Sequence, residues 1–310
     1  MESDNSYISP DENILNKVNV ISTDLSAANE GLESWYTIDG KQFFFNYRNI
    51  NTIPSGLYKM ILTQANGFGV ETMNYKSDEY YPLPSLPHLE IIQDVKNFWN
   101  NKGVYEKYKI TPKRGVILHG DPGCGKTSLI YLLINEIVKY NGLAIYFESP
   151  QTWVETAKLI RKLEKDRPLL CIIEDLDGAI NKFGEEVFLN FLDGLNAVTN
   201  IIYVATTNNL KSIPDRIKNR PSRFDKLYEI KKPSKEDRTV FFNAILHEDD
   251  KTIYNLEKLV NDTDKFSMAH LKETFISLYI LKNDYTATIN TLKNSKISDN
   301  PIGFSGNPNS

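Results

Sequence analysis

Apolar positions along this chain change period from one stretch to the next. Ile14, Val18, Ile21 and Leu25 recur at helical spacing behind Ser9-Pro10-Asp11-Glu12, a capping-box spacing with proline at the first helical position. From Trp35 the pattern turns to strands. Trp35–Ile38 and Gln42–Tyr47 flank Asp39-Gly40, and Leu57–Thr63 and Gly69–Met73 flank Asn66-Gly67. Phe43, Phe44, Phe45 and Tyr47 are too continuous to face one side, which suits a small β core or an interface. Tyr80–Pro87 (YYPLPSLP) is a stiff link. Residues 1–87 therefore read as a β-rich region with a leading helix.

Residues 88–232 alternate instead. Ile91–Asn100 has a helical pattern. Apolar Arg114–His119 precedes a helix over 127–139. Strand Leu143–Phe147, helix Val154–Lys165, strand Leu169–Ile173, helix Glu185–Leu192 and strand Ile201–Ala205 follow. Such alternation implies an α/β fold with a parallel sheet covered on both faces. Residues 233–294 are helical. Ser234 caps one helix, with Glu236 and Asp237 in its first turn. Ser267 opens another, with Leu271, Phe275, Leu278 and Lys282 on one stripe. The tail, 295–310, is rich in Asn, Ser, Gly and Pro and is expected to be disordered.

Composition narrows the class. The chain has 310 residues and a net charge of −4, and its pI is about 5.7. Wholesale coating of nucleic acid would want a basic surface. The two cysteines, Cys124 and Cys171, fall in a glycine-rich loop and an apolar strand. Neither place suits a structural disulfide, which points to a reducing, cytoplasmic setting. The polar start, MESDNSYISPDE, is unlike a secretory signal, and no apolar run approaches a membrane span.

The chemistry is concentrated at Gly120-Asp121-Pro122-Gly123-Cys124-Gly125-Lys126-Thr127, which fits the phosphate-loop pattern G-x-x-x-x-G-K-[ST]. Its glycines let backbone N–H groups turn toward a polyphosphate. Lys126 can reach the β- and γ-phosphates, and the Thr127 hydroxyl can ligate Mg²⁺. The strand before and the helix after supply the order that anion binding needs.

Cleavage needs more than a phosphate cradle. Leu169–Ile173 delivers Glu174, Asp175 and Asp177 at its carboxyl end, where open α/β sheets bind ligands. One carboxylate would hold the Mg²⁺ shell and its neighbour would polarise water. A plain acidic turn would look the same. Asn208, after strand Ile201–Ala205, can bond both a γ-phosphate and a water, although an Asn-Asn turn is common. Arg220-Pro221-Ser222-Arg223-Phe224-Asp225 sets two arginines beside a rigid proline, suited to reaching the γ-phosphate of a neighbouring subunit. Lys211, Arg216, Lys218 and Lys226 nearby also fit a solvated basic loop or a nucleic-acid contact.

Together these motifs resemble the AAA+ superfamily, and the classical AAA family within it, over residues 88 to about 290. Gly120–Thr127 matches Walker A, Ile172–Asp177 occupies Walker B, and Asn208 matches sensor 1. Arg220 and Arg223 match the paired arginine fingers, Phe188–Leu195 resembles L-L-x-x-L-D-G, and Phe266–Leu271 resembles the lid segment F-S-G-A-D-L without a sensor arginine. The resemblance implies a P-loop NTPase sheet with a helical lid, preceded by a small β-rich domain. It implies ATP with Mg²⁺ as cofactors, bound by Asp121, Pro122, Gly123, Cys124, Gly125, Lys126, Thr127 and Ser128. Thr127 and Glu174 would be on the metal. Lys126, Glu174, Asp175, Asn208, Arg220 and Arg223 would carry catalysis. A homo-oligomeric ring acting on a protein client follows, with a DNA-acting replication accessory or a non-hydrolysing scaffold as alternatives.

The chain departs from the family twice. Walker B reads Glu174-Asp175 where Asp-Glu is usual, so by position Glu174 takes the metal side and Asp175 activates water. That order, with a Cys inside Walker A, is similar to the branch of the mitochondrial ATPase that assembles the Rieske subunit. Phage-encoded AAA proteins also look similar, and a phage origin would mean the host cytoplasm. That branch's membrane helix is not evident, so its specific task does not carry over. Second, Glu148–Trp153 (ESPQTW) is short where peptide-threading relatives carry an aromatic pore loop. Trp153 is expected to be a core contact at a helix start.

Overall fold

The computed structural model describes residues 34–37, 40–46, 52–63, 67–74, 83–193, 198–219, 223–250 and 253–294. The helix expected over Ile14–Leu25, the 295–310 tail and the Arg220-Pro221-Ser222 segment lie outside them.

Four strands come first: β1 Ser34–Thr37, β2 Gln42–Asn46, β3 Gly56–Thr63 and β4 Gly67–Thr72. Helices α1 His88–Asn100 and α2 Lys102–Lys107 follow, then β5 Lys113–His119, α3 Lys126–Lys139, β6 Leu143–Tyr146, α4 Pro150–Leu163 and β7 Leu169–Ile173. Next are α5 Leu176–Phe183, α6 Glu185–Asp193, β8 Ile201–Thr207, the short α7 Asp215–Lys218 and β9 Lys226–Glu229. The lid holds α8 Lys235–Ile245, α9 Leu256–Asp262, α10 Met268–Phe275 with a π turn over Ile276–Ile280, and α11 Tyr285–Asn294.

Among the described residues, nine strands form one sheet in the order β1-β2-β4-β3-β6-β7-β8-β5-β9. The strands from β3 to β9 in that order run parallel. The antiparallel β1, β2 and β4 extend one edge. The β-rich N-terminal stretch expected from the sequence is built onto this sheet. β3 pairs in parallel with β6, Leu57 opposite Ala144, so the N-terminal strands continue the central sheet. The physical reason is burial. Phe43, Tyr58, Met60 and Val70 share one core with Ile145, Trp153 and Tyr203 instead of closing a core of their own. A buried polar clasp adds to the join. The Ile53 N–H donates to Glu164 Oε1 at 3.3 Å, and Arg167, ion-paired with Glu164, donates to the Ile53 carbonyl.

Each sheet face has its own helices. α1 and α3 cover the face with Val116, Leu118, Ala144, Leu170, Ile172 and Val204. α4, α5 and α6 cover the alternate residues Ile117, Ile145, Cys171, Ile173 and Tyr203. Alternation along each strand produces this split. It also aims Glu174, two residues beyond Ile172, toward α3. Capping fixes the helix starts. Ser149 Oγ accepts from Thr152 N–H with Pro150 at the first position, and Ser234 and Asp237 form a reciprocal capping box. The lid has a third core around Phe241, Phe242, Leu259, Leu271 and Leu278. Leu83 and Leu86, from the proline-rich link, belong to that lid core. The link is therefore clasped by the lid, and Ser85 binds the Asp237 carboxylate through both its N–H and its hydroxyl.

Candidate functional site

The site lies at the carboxyl ends of β5, β7 and β8, where the sheet meets the start of α3. Gly123 (φ +73°) and Gly125 (φ +102°) hold the left-handed backbone that the loop needs to curl its N–H groups inward. Gly125 leads directly into α3, so the loop ends on that helix's positive terminus. Lys126 is buried, and its ammonium donates to the carbonyls of Gly120 at 2.7 Å and Asp121 at 3.0 Å. Burial lowers its pKa, with Cys124, Asp121 and Asp177 opposing that shift. Asp121 is exposed and forms an ion pair with Lys232 at 2.9 Å, tying the loop to the segment after β9. Pro122, Thr127 and Ser128 are exposed at the mouth.

The Thr127 hydroxyl donates to Glu174 Oε1 at 3.1 Å. Residues far apart in sequence thus place one hydroxyl and one carboxylate together under the loop. This donor set fits Mg²⁺, which takes few protein oxygens and completes its shell with substrate phosphate and water. Among the described residues no cluster of three or more His, Cys, Asp or Glu offers a different metal site.

Asp175 sits in the left-handed region at φ +54° and precedes α5. Its N–H donates to Thr206 Oγ1 at 3.2 Å. Partial burial, reinforced by the Asp177 charge, raises the Asp175 pKa. Asp177 accepts from the Thr207 hydroxyl at 2.6 Å. Asn208 is exposed immediately beyond β8.

Cys124 is buried against the α3 face, and burial pushes its thiol pKa up. The loop therefore holds it as a packing residue, although helix N-termini favour thiolates. Trp153 is fully buried and meets Tyr203 edge-on at 6.1 Å between ring centroids. It is a core residue, as expected. His247 is exposed at the end of α8.

Arg223, expected to reach a neighbouring subunit, is 2% exposed within this chain. Its Nε donates to Asp193 Oδ1 at 2.8 Å, and its other nitrogens bind Asp193 Oδ2 and the Arg216 carbonyl. Donating to the Asp193 carboxylate raises its pKa. Arg223 is thus paired with the carboxylate at the end of α6, from within the same chain. Of the two candidate fingers, Arg220 is outside the described residues.

Some contacts were not anticipated from sequence. Thr206 and Thr207 support the carboxylate turn, and Asp193 captures Arg223. The lid also touches the loop, through the Ala269 N–H donating to the Gly123 carbonyl at 3.1 Å. Paired threonines at a strand end were the one available signal. Asp193 stood in the segment resembling L-L-x-x-L-D-G, which did not point to Arg223.

With this geometry in place, comparison with known proteins is informative. Residues 116–232 match the family described as "ATPase family associated with various cellular activities (AAA)". The chain is 31% identical over 198 residues to a proteasome-activating nucleotidase of Saccharolobus solfataricus, covering 57% of this chain and 49% of that protein. It is 25% identical over 203 residues to an "AAA ATPase forming ring-shaped complexes" of Corynebacterium diphtheriae, covering 56% of this chain and 40% of the relative. Over 215 residues it is 29% identical to "Protein SAV" of Sulfolobus acidocaldarius, covering 61% and 27%. The chain spans about half the length, or less, of these curated relatives.

Proposed function

We propose, from the premise that this chain carries an AAA-family ATPase domain, that it is an ATP-hydrolysing ring ATPase that remodels or moves a protein client. One observation carries the reading: the Thr127 hydroxyl and Glu174 carboxylate meet at 3.1 Å beneath a glycine-rich loop. A hydroxyl and a carboxylate at that place suit a magnesium triphosphate.

Asp121–Ser128 cradle the phosphates, and Lys126 exchanges its loop carbonyls for β- and γ-phosphate oxygens. Thr127 and Glu174 would hold Mg²⁺, which when bound would supply positive charge to offset that of the phosphate oxygens. Asp175 accepts a proton from the attacking water, and Asn208 orients that water. Arg220 reaches the γ-phosphate of the adjacent protomer, while Arg223 braces the segment that carries it. The name of the Corynebacterium relative supports ring assembly. The name of the Saccharolobus relative supports a link to protein handling. The buried Trp153 argues for a client moved by some other means than a pore aromatic at this position.

Location in the cytoplasm fits two buried, unbridged cysteines. Among the described residues no helix is long and apolar enough to cross a membrane.

The test is equilibrium binding of a fluorescent ATP analogue with Mg²⁺, alongside phosphate release and sedimentation velocity. Wild type should bind, turn over and assemble. Lys126→Ala should lose binding, and Asp175→Asn should bind but not turn over. Binding without release by wild type would leave a nucleotide-gated scaffold. Turnover stimulated by DNA and not by protein, with steep salt dependence, would instead place the enzyme on nucleic acid.

A further inference from the structure

The ends of β7 and β8 carry the two groups assigned to the attacking water, Asp175 and Asn208, yet those groups lie on separate connections. One side chain spans the gap. Thr207, the last residue of β8, is 1% exposed. Its hydroxyl donates to Asp177 Oδ1 at 2.6 Å and accepts from the Asn209 N–H at 3.0 Å. Both hydroxyl functions are thus in use, one toward the β7 turn and one across Asn208. The neighbouring Thr206 takes the Asp175 N–H.

The register of the sheet makes this possible. Ile173 lies opposite Ala205, so the residues just beyond each come side by side. Asp177 sits at the start of α5, with its peptide fixed by the helix, and so presents a stable acceptor. Its carboxylate is also close enough to act on the charge of Lys126 and on Asp175.

We infer that Thr207 and Asp177 form a positioning pair that holds Asn208 and Asp175 in fixed relation around the attacking water. The pair touches no reacting atom. It acts by removing freedom from the two turns that do. A misplacement of about 1 Å costs on the order of 100-fold in rate, so loss of the link should appear in turnover and not in nucleotide affinity. The inference rests on the hydrolase reading above and adds two residues to it.

The experiment is steady-state ATP hydrolysis with Mg²⁺ by the full chain, paired with fluorescent-analogue binding. Thr207→Val keeps the shape and deletes the hydroxyl, and its kcat should fall about 10- to 100-fold. KM and the binding constant should stay within about twofold, because the phosphate loop is untouched. Thr207→Ser restores the hydroxyl and should stay within about threefold of wild-type kcat. Asp177→Ala removes the acceptor at the other end of the same contact, so a misfolded Thr207→Val leaves the question answerable. The double variant should be no slower than the slower single one. Unchanged kcat in Thr207→Val, equal damage in Thr207→Ser, or a loss confined to KM would overturn the inference while leaving the hydrolase reading intact. Absence of turnover in wild type would overturn both.

Discussion

The backbone N–H of Ala269, in the lid, donates to the carbonyl of Gly123, in the phosphate loop, at 3.1 Å. This single bond links the start of α10 to the residues that would wrap the nucleotide. A Cβ at Gly123 would lie 3.0 Å from both Ala269 Cβ and Ser267 Oγ. It would also sit on a backbone at φ +73°, where an L-residue pays about 1–2 kcal/mol. Gly123→Ala should therefore push the lid off the loop and weaken binding of the magnesium nucleotide about tenfold or more, at roughly 1.4 kcal/mol per decade. Titration with a fluorescent analogue measures this. An unaltered binding constant would show that loop and lid are not coupled here.

Gly115 is constrained by packing and not by its own dihedral. An added Cβ would fall 1.8 Å from the Arg223 carbonyl oxygen and 2.8 Å from Phe224 Cα. The contact exists because Gly115 and Asp225 hook together, N–H to carboxylate at 3.0 Å in one direction and N–H to carbonyl at 2.8 Å in the other. Gly115→Ala must part β5 from this segment, at a cost on the order of 3 kcal/mol. The urea midpoint should drop accordingly with an unchanged m-value. A variant as stable as wild type would mean that the segment can move aside freely.

How the site was legible in the sequence follows from which interactions are local. Lys126, Thr127 and Glu174 were readable because loop chemistry and strand order place them without long-range detail. The sheet's parallel half followed from alternation of period alone. The junction of β3 with β6 was not readable, because pairing between strands distant in sequence leaves no local mark. β9 was missed for a related reason. At Lys226–Glu229 it is a four-residue edge strand with one buried side chain, Tyr228. The pairing of Arg223 with Asp193 was not readable, because a finger and a buried helix-end partner share the same residue type. Only the position of Asp193 distinguishes them.

His88 gives the fold a defined acid sensitivity. It is 3% exposed at the start of α1, where the link meets the lid. Burial lowers its pKa from 6.5 to about 4, with the Asp237 carboxylate opposing that shift. The folded state thus keeps His88 neutral where the unfolded chain would bind a proton. Its contribution to stability is complete above pH 6.5 and is lost as pH falls toward 4, amounting to about 3 kcal/mol. Asp237 acts in a lower window. Burial raises its pKa, but hydrogen bonds from Ser85 and Ser234 outweigh that and lower it overall, so its contribution fades only below pH 3.8. Urea denaturation at pH 7, 6, 5 and 4.5 should show a steady decline in wild type. His88→Gln should flatten that decline. Parallel slopes in the two proteins would place the acid sensitivity elsewhere.

The two arginines of the Arg220–Asp225 segment should separate cleanly. Arg223 is tied to Asp193, whose side chain is 46% exposed, so solvent screens much of the pair. Arg223→Gln should lower stability by about 2 kcal/mol, a cut from the larger figure for fully buried pairs, and should damage any assembled activity through the segment it braces. Arg220→Ala should leave the fold and nucleotide binding intact and slow turnover about 1,000-fold or more, the loss typical of an absent arginine finger. Mixing distinguishes action across an interface from action within one chain. Arg220→Ala protomers keep a working phosphate loop, and Lys126→Ala protomers keep the arginine. At interfaces where the loop of the first meets the arginine of the second, all parts are present. Mixed assemblies should therefore recover part of the wild-type rate, and the recovery should peak at intermediate ratios. Mixtures that assemble, as judged by sedimentation, but show only the summed rates of the two variants would remove Arg220 from the catalytic set.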